Sequence, residues 1–305
     1  MRRSKIVVII STTLLITTLL IFNVPGNIPP PTETGVKLPP PAASSGEVDL
    51  FLLATGHAEA PEAFTMAQGA LFKSFAMVHG AVLVTHGDDS FLFDTGLGRH
   101  IDSQFSKDMP FWLKPLMAYE KEEPVADQLQ DSEHLPQAKR IFLSHAHWDH
   151  VSGVIDFPDL EIWVPSAEYA YIKSGVPPSI FTSQVGSPDI KWKEYALKDA
   201  SYAGFPRSYD LYGDGSAVLV GLAGHTPGSV GLFVNAKDGV RRFFVGDAVW
   251  NLNAVRELRR KFWLSSLIVD NDRAEADLVV AKLHALMQAN PELKIIPAHD
   301  LSTWH

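Results

Sequence analysis

The 305 residues include no cysteine. That excludes disulfides, and it excludes thiolate ligands, so any metal this chain holds is bound through nitrogen and oxygen. No segment repeats at a fixed period, which leaves no basis for a stacked-repeat architecture. Basic side chains are scarce beyond the N-terminus. Of 26 Lys and Arg and 35 Asp and Glu, the first 46 residues hold four basic (Arg2, Arg3, Lys5, Lys37) and one acidic (Glu33), leaving 22 against 34, a net charge of −12. A body so acidic repels polyanions, so nucleic acid is excluded as a partner; the motifs below imply a small-molecule substrate instead.

Long apolar runs are also few. Ile6 to Phe22 is an uncharged 17-residue run behind the basic start Met1 to Lys5. It reads as a signal anchor or an export signal over residues 1–22, placing the rest outside the inner membrane, in the periplasm or secreted, with a membrane partner if the run is retained. Residues 23–46 carry seven of the 21 prolines. Such sequence buries too little apolar surface to fold alone, and it is expected to be an extended, partly polyproline-II linker that holds the domain off a membrane surface. From 47 to 305 the composition turns globular; at 46% hydrophobic and 20% charged, the chain as a whole can bury a large core.

Within that domain the chemistry is concentrated in Ser144-His145-Ala146-His147-Trp148-Asp149-His150, after the apolar run Ile141 to Leu143. If Arg140 to Ser144 is a buried strand, the segment is the loop leaving its carboxyl end. His145 and His147 then point the same way, because side chains in extended chain repeat every two residues, while Asp149 and His150 can turn toward a second point. Two imidazoles for one ion and an Asp/His pair for a neighbour is a donor set that suits zinc.

The segment resembles the His-x-His-x-Asp-His signature of the metallo-β-lactamase superfamily, and further motifs of that family follow in order: Gly224-His225-Thr226-Pro227-Gly228, Gly246-Asp247-Ala248 and Pro297-Ala298-His299-Asp300. The resemblance spans about residues 48 to 305. It implies two zinc ions per chain, one on His145, His147 and His225, the other on Asp149, His150 and His299, with Asp247 bridging. It also implies the family's α/β fold, a four-layer αβ/βα sandwich of two sheets with helices outside. Two such ions, about 3.5–4 Å apart, lower the pKa of a shared water toward neutrality and make it a nucleophile for an ester, lactone, thioester or amide carbonyl. Asp247 and Asp149 are the residues nearest that chemistry, Asp149 either as ligand alone or also as a proton relay to the leaving group. Asp94, in Phe93-Asp94-Thr95-Gly96, either holds a ligand imidazole from behind, as the resemblance implies, or simply forms a turn. The other histidines (His57, His79, His86, His100, His134, His284 and His305) are read as satisfied or solvated.

Asp247 separates the chain from the β-lactamase branches, which lack it. The spacing to His299 and the Gly80–Val84 and Phe93–Gly96 runs look most like the acyl-homoserine lactonases. Those enzymes carry a Tyr three residues after the bridging Asp, where this chain has Trp250. Two other functions fit the motifs: a mononuclear iron oxygenase of the persulfide dioxygenase type, and a non-catalytic metal-binding module. Met109 to Tyr119, with aromatics set between prolines, is expected to form an insertion near the site rim, whether as a lid, a homodimer contact or core packing.

Overall fold

The computed structural model describes residues 22, 24–31, 35–41 and 46–304. The proposed anchor and signal over 1–22 falls, apart from Phe22, outside the described residues, and so does His305. Among the described residues no helix is long and apolar enough to cross a membrane.

Among the described residues, twelve strands form two sheets. The first holds β1 (Val48–Pro61), β2 (Ser74–His86), β3 (Asp89–Phe93), β4 (Glu120–Lys121), β5 (Arg140–Phe142), β6 (Glu161–Pro165) and β7 (Lys191–Tyr195), in the order β4-β1-β2-β3-β5-β6-β7. The second holds β8 (Ser208–Asp210), β9 (Ala217–Gly221), β10 (Val230–Asn235), β11 (Arg241–Phe244) and β12 (Lys294–Ile296), in the order β12-β11-β10-β9-β8. Pairing is parallel from β3 through β5 and β6 to β7, and between β11 and β12, and antiparallel elsewhere.

The period-two alternation of each strand builds the layers. Val82, Val84, Phe91, Phe93 and Phe142 of the first sheet meet Leu219, Leu232, Val234, Phe244 and Ile296 of the second in one core between the sheets. Their sequence neighbours point outward. Ala81, Leu83, Leu92, Ile141 and Leu143 pack under Val125, Leu129 and Ile172 from helices Val125–Asp131 and Ser166–Ser174. Val218, Val220, Phe233, Phe243 and Ile295 pack under Val280, Leu283 and Leu286 of helix Arg273–Ala289, which Asp272 caps by accepting from the backbone N–H groups of Ala274 and Glu275. Helix, sheet, sheet, helix is the expected αβ/βα sandwich.

Three features go beyond what the sequence pattern indicates. β1 and β2 run several residues past the Val48–Ala54 and Gly80–Thr85 runs, as a 14- and a 13-residue strand, because the ladder resumes after a bulge at Thr55, with Gly56, His57 and Ala58 opposite His79, Val78 and Met77. Polar and glycine positions break the apolar pattern here, while the pairing goes on beyond the bulge. Helix Trp263–Val269 lies in a stretch without helical punctuation. The described part of the proline-rich stretch lies along the domain instead of standing off it: Ile28 is buried in the outer core of the second sheet with Leu38 packed beside it, and Asn290 binds the backbone at Val36 and Leu38. Single apolar residues between prolines thus find a groove that the stretch's composition does not advertise.

Candidate metal centre and cavity

The four segments that carry the proposed ligands leave neighbouring strand ends. His145 lies three residues beyond β5, His225 four beyond β9, Asp247 three beyond β11 and His299 three beyond β12. Parallel pairing of β11 with β12 sets Asp247 and His299 side by side, and Val230 N donates to Ser144 O across the two sheets (2.8 Å). Gly246 adopts φ +52°, a left-handed turn that glycine takes without strain, and an added Cβ there would sit 3.2 Å from Ser144. This close approach brings Asp247 to the His145 loop.

All seven residues expected at the site come together there, each buried. Among the described residues, donor atoms gather in three groups, each with its atoms within 4.8 Å of one another: His145, His147 and His225; His145, His150 and Asp247; and His79, Asp149 and His299. The last group corrects the sequence reading, which set His79 aside with the satisfied histidines. His79 is 5% exposed, and its Nδ1 lies 3.1 Å from Asp149 Oδ2. A lone His in a strand carries no sequence signal for this; only the β2 extension places it at the site. His57, His86 and His284 do have partners, Glu122, Asp214 and the Val255 carbonyl.

Three of the ligand rings, those of His150, His225 and His299, are held from behind. Asp94 sits in the left-handed region at φ +66°, which a non-glycine residue adopts only at a cost that its surroundings must offset. Its Oδ1 accepts from Ser144 N (2.7 Å), and its Oδ2 from Ser144 Oγ (2.7 Å) and His150 Nδ1 (2.8 Å). Of the two roles read for it, the structure shows the imidazole-holding one. His299 Nδ1 donates to Val78 O (2.9 Å) and His225 Nδ1 to Asp270 Oδ1 (2.7 Å). With Nδ1 donating in these three rings, Nε2 is left as the bare nitrogen aimed inward, which is how ligand imidazoles are oriented. The two ligand loops are tied together by buried Glu168. It accepts from Ala146 N (2.7 Å), Thr226 Oγ1 (2.6 Å) and Gly228 N (3.0 Å), and burial pushes its carboxyl up to about 7 against those bonds.

The donor atoms fit metal ions better than they fit one another. Nε2 of His145, His147, His150 and His225 and Oδ1 of Asp247 are buried without a hydrogen-bond partner, a costly arrangement unless something else binds them. Four separations, His150 Nε2 to Asp247 Oδ1 (3.2 Å), His299 Nε2 to Asp247 Oδ1 (3.1 Å), His299 Nε2 to Asp149 Oδ2 (3.2 Å) and His225 Nε2 to Asp247 Oδ2 (3.5 Å), are poor in direction for hydrogen bonds between those groups. They are close to the edge of a tetrahedron around an ion with bonds of ~2.0–2.1 Å, which is roughly 3.3–3.4 Å. Electrostatics agree at four of these groups, while at His150 and His299 burial is outweighed by the neighbouring carboxylates, which draw both imidazoles upward. Burial raises the carboxyls of Asp149 and Asp247, but the surrounding imidazoles hold both below the usual carboxylate range, so they are charged. Burial and neighbouring imidazoles keep His145 and His147 neutral, with lone pairs available.

Beside these atoms lies a cavity of roughly 210 Å³, with Phe64, Met77, Leu116, Phe262 and Ile268 on its apolar wall and His147, Asp149, Asp247 and Trp250 at its polar end. The expected rim insertion takes its place here: Met109, Pro115, Leu116 and Met117 line the cavity, Leu113 is buried beneath, and Phe111 and Trp112 are exposed. Phe22 stacks on Phe262 (4.9 Å between ring centroids), so the end of the N-terminal run lies against a residue of the cavity wall. Trp250, the departure noted in the sequence, donates from Nε1 to Asp247 Oδ2 (2.7 Å) and packs under Lys261. Trp250→Phe keeps an aromatic ring but deletes the donor. We expect metal affinity or turnover to fall by about 10–100-fold, the scale for losing a bond behind a metal ligand. A titration with zinc checks it, and unchanged affinity together with unchanged turnover would mean the bond is incidental.

The metallo-β-lactamase superfamily model matches residues 78–299. An N-acyl homoserine lactonase, AttM, of Rhizobium radiobacter is 26% identical over 192 residues, covering 61% of this chain and 67% of the relative, and the AttM of Agrobacterium fabrum is 25% identical over the same length. Among solved structures, B. thuringiensis AiiA with N-decanoyl-L-homoserine bound at its active site superposes with a TM-score of 0.64 at 16% identity, covering 83% of this chain and 93% of the other. The dizinc quorum-quenching lactonase AidC superposes with a TM-score of 0.59 at 20% identity, covering 87% and 90%. With its motifs in order, its two sheets and its buried cluster of imidazoles and carboxylates, this chain belongs to the metallo-β-lactamase superfamily and is one of its metal-dependent hydrolases.

Proposed function

We propose that the chain is a dinuclear zinc hydrolase of lactones or related esters that carry an apolar acyl chain. The single observation behind this reading is the juxtaposition of bare, inward-facing donor atoms with an apolar cavity that opens at them. His145, His147 and His225 would hold one ion and Asp149, His150 and His299 the other, with Asp247 serving both. When bound, the pair supplies a water of near-neutral pKa and Lewis acidity for a carbonyl oxygen.

The protein's own residues do the rest. Asp94, Asp270 and the Val78 carbonyl fix the rings so that no reorientation is needed during turnover. Phe64, Met77 and Leu116 receive an acyl chain and exclude water from the reacting carbonyl. Asp149 lines the cavity at its polar end, where it can hold a proton on its way to the leaving oxygen. The lactonase names of the similar proteins support lactones as the first compounds to try.

The test is hydrolysis of N-acyl homoserine lactones of increasing chain length, beside aryl esters and thioesters. Burying each methylene stabilises by about 0.8 kcal/mol, so kcat/KM should rise by up to about fourfold per methylene until the cavity is full. A chelator should abolish the activity and zinc restore it. A zinc-loaded protein inert toward every one of these carbonyl compounds, or active with its metal removed, would sink the proposal. For location, the basic start and the Ile6 to Phe22 run support export with the domain beyond the inner membrane.

A further inference from the structure

The ligand set that the family motifs imply takes no residue from β2, yet β2 delivers a buried imidazole to the second metal position. We propose that His79 is a further ligand there, binding through Nδ1 the ion that Asp149 and His299 hold. The inference rests on the two-metal reading above.

Three observations carry it. His79 Nδ1 is buried and has no hydrogen-bond partner, although Asp149 Oδ2 lies 3.1 Å away, so the contact is not a hydrogen bond in direction. The same Asp149 oxygen lies 3.2 Å from His299 Nε2, and these three residues form one of the groups whose ligand atoms lie within 4.8 Å of one another. Their spacing matches the separations among the ligand atoms of the rest of the centre. Finally, one short piece of β2 fixes both rings. Val78 O accepts from His299 Nδ1 (2.9 Å), Val78 N donates to His299 O (3.4 Å), and Thr55 Oγ1 donates to His79 O (3.1 Å). In contrast to His150, His225 and His299, whose Nδ1 atoms are tied back, His79 leaves Nδ1 bare, so it was turned the other way round to face Asp149.

With His79 the second position offers three nitrogens and two carboxylate oxygens, from His79, His150, His299, Asp149 and Asp247. Five donors exceed the four of a closed tetrahedral zinc site, and they suit an ion that accepts a higher coordination number. The first position keeps its three imidazoles and the shared carboxylate.

The experiment loads the full chain, as purified and as the variants His79→Ala and His79→Gln, with cobalt(II), and reads both the ions retained after dialysis and the visible absorption. Both variants should hold the second ion at least about tenfold more weakly, with stronger visible bands as that ion drops to fewer donors. His79→Gln is the discriminating variant, since its amide can still donate to Asp149. If it retains two ions with the native spectrum, His79 acts as a hydrogen-bond donor and the inference is overturned. Denaturant unfolding of metal-free His79→Gln should stay close to the native chain, because no partner of Nδ1 is lost, whereas His79→Ala also gives up ring contacts with Trp148 and His299 and should be somewhat less stable. A native chain that never takes a second ion would overturn the two-metal reading together with this one, whereas two ions in the native chain and in both variants would overturn this one alone.

Discussion

Asp247→Asn is expected to lower turnover by about 10²–10³-fold, the scale for removing one preorganised electrostatic group from an active site, while leaving the metal-free fold intact. The substitution preserves shape. The amide oxygen can still accept from Trp250 Nε1, as Asp247 Oδ2 does at 2.7 Å. The amide nitrogen then takes the place of Oδ1, which now lies 3.2 Å from His150 Nε2 and 3.1 Å from His299 Nε2. It can donate a proton to one of those rings but cannot share a cation with it. Metal analysis should show the second ion lost or weakened in parallel with turnover. Native turnover in a variant that still binds both ions would remove the carboxylate from the chemistry. Should turnover fall with both ions retained, the charge itself, and not metal capture, is what Asp247 contributes.

The legibility of this centre in the sequence follows from how its parts are made. His145, His147, Asp149 and His150 occupy one loop, so local spacing alone exposes them. His225, Asp247 and His299 are far apart in the chain, but each follows an apolar strand, and strand ends that meet in one sheet bring their loops together. His79 is of another kind. It sits inside a strand, between Val78 and Gly80, and reaches Asp149 only because β2 extends well past its apolar stretch to pair with β1 through Met77 and His79. The same holds for the layers of the fold. The apolar runs of β2, β3, β5 and β10 announce buried strands, with both faces covered, whereas β7, with mostly exposed Lys191-Trp192-Lys193-Glu194, forms by pairing with β6 at the sheet's edge and shows no apolar pattern. Proline content indicates the absence of regular structure over residues 23–46. It says nothing of where Ile28 or Leu38 will dock, since that depends on a groove made by residues some 250 positions later.

Lys261 and Asp270 are the pair that motif reading had least chance of finding, and their separation has the largest expected effect on stability. Both side chains are almost wholly buried, at 4% and 2% exposure, and Lys261 Nζ lies 2.7 Å from Asp270 Oδ1. Burial alone would raise the Asp270 carboxyl, but Lys261 and His225 hold it below the usual carboxylate range, so the carboxylate is charged. Asp270→Asn leaves the ammonium group in a dry site without its counter-charge. We expect a loss of about 3–5 kcal/mol, the range for breaking a buried pair from one side, read as a lower midpoint in denaturant unfolding of the metal-free chain. The partner's removal gives the control. Lys261→Met together with Asp270→Asn deletes both charges and should recover most of that loss, because an apolar side chain packs where the ammonium was. Loss of metal affinity should persist in the double variant, since an Asn oxygen is a weaker acceptor than a carboxylate for the His225 Nδ1 proton that now goes to Asp270 at 2.7 Å. A single variant less than about 1 kcal/mol below the native chain would put the pair in the class of exposed, solvent-screened ion pairs. Recovery of stability and metal affinity together would show that Asp270 acts on His225 only through Lys261.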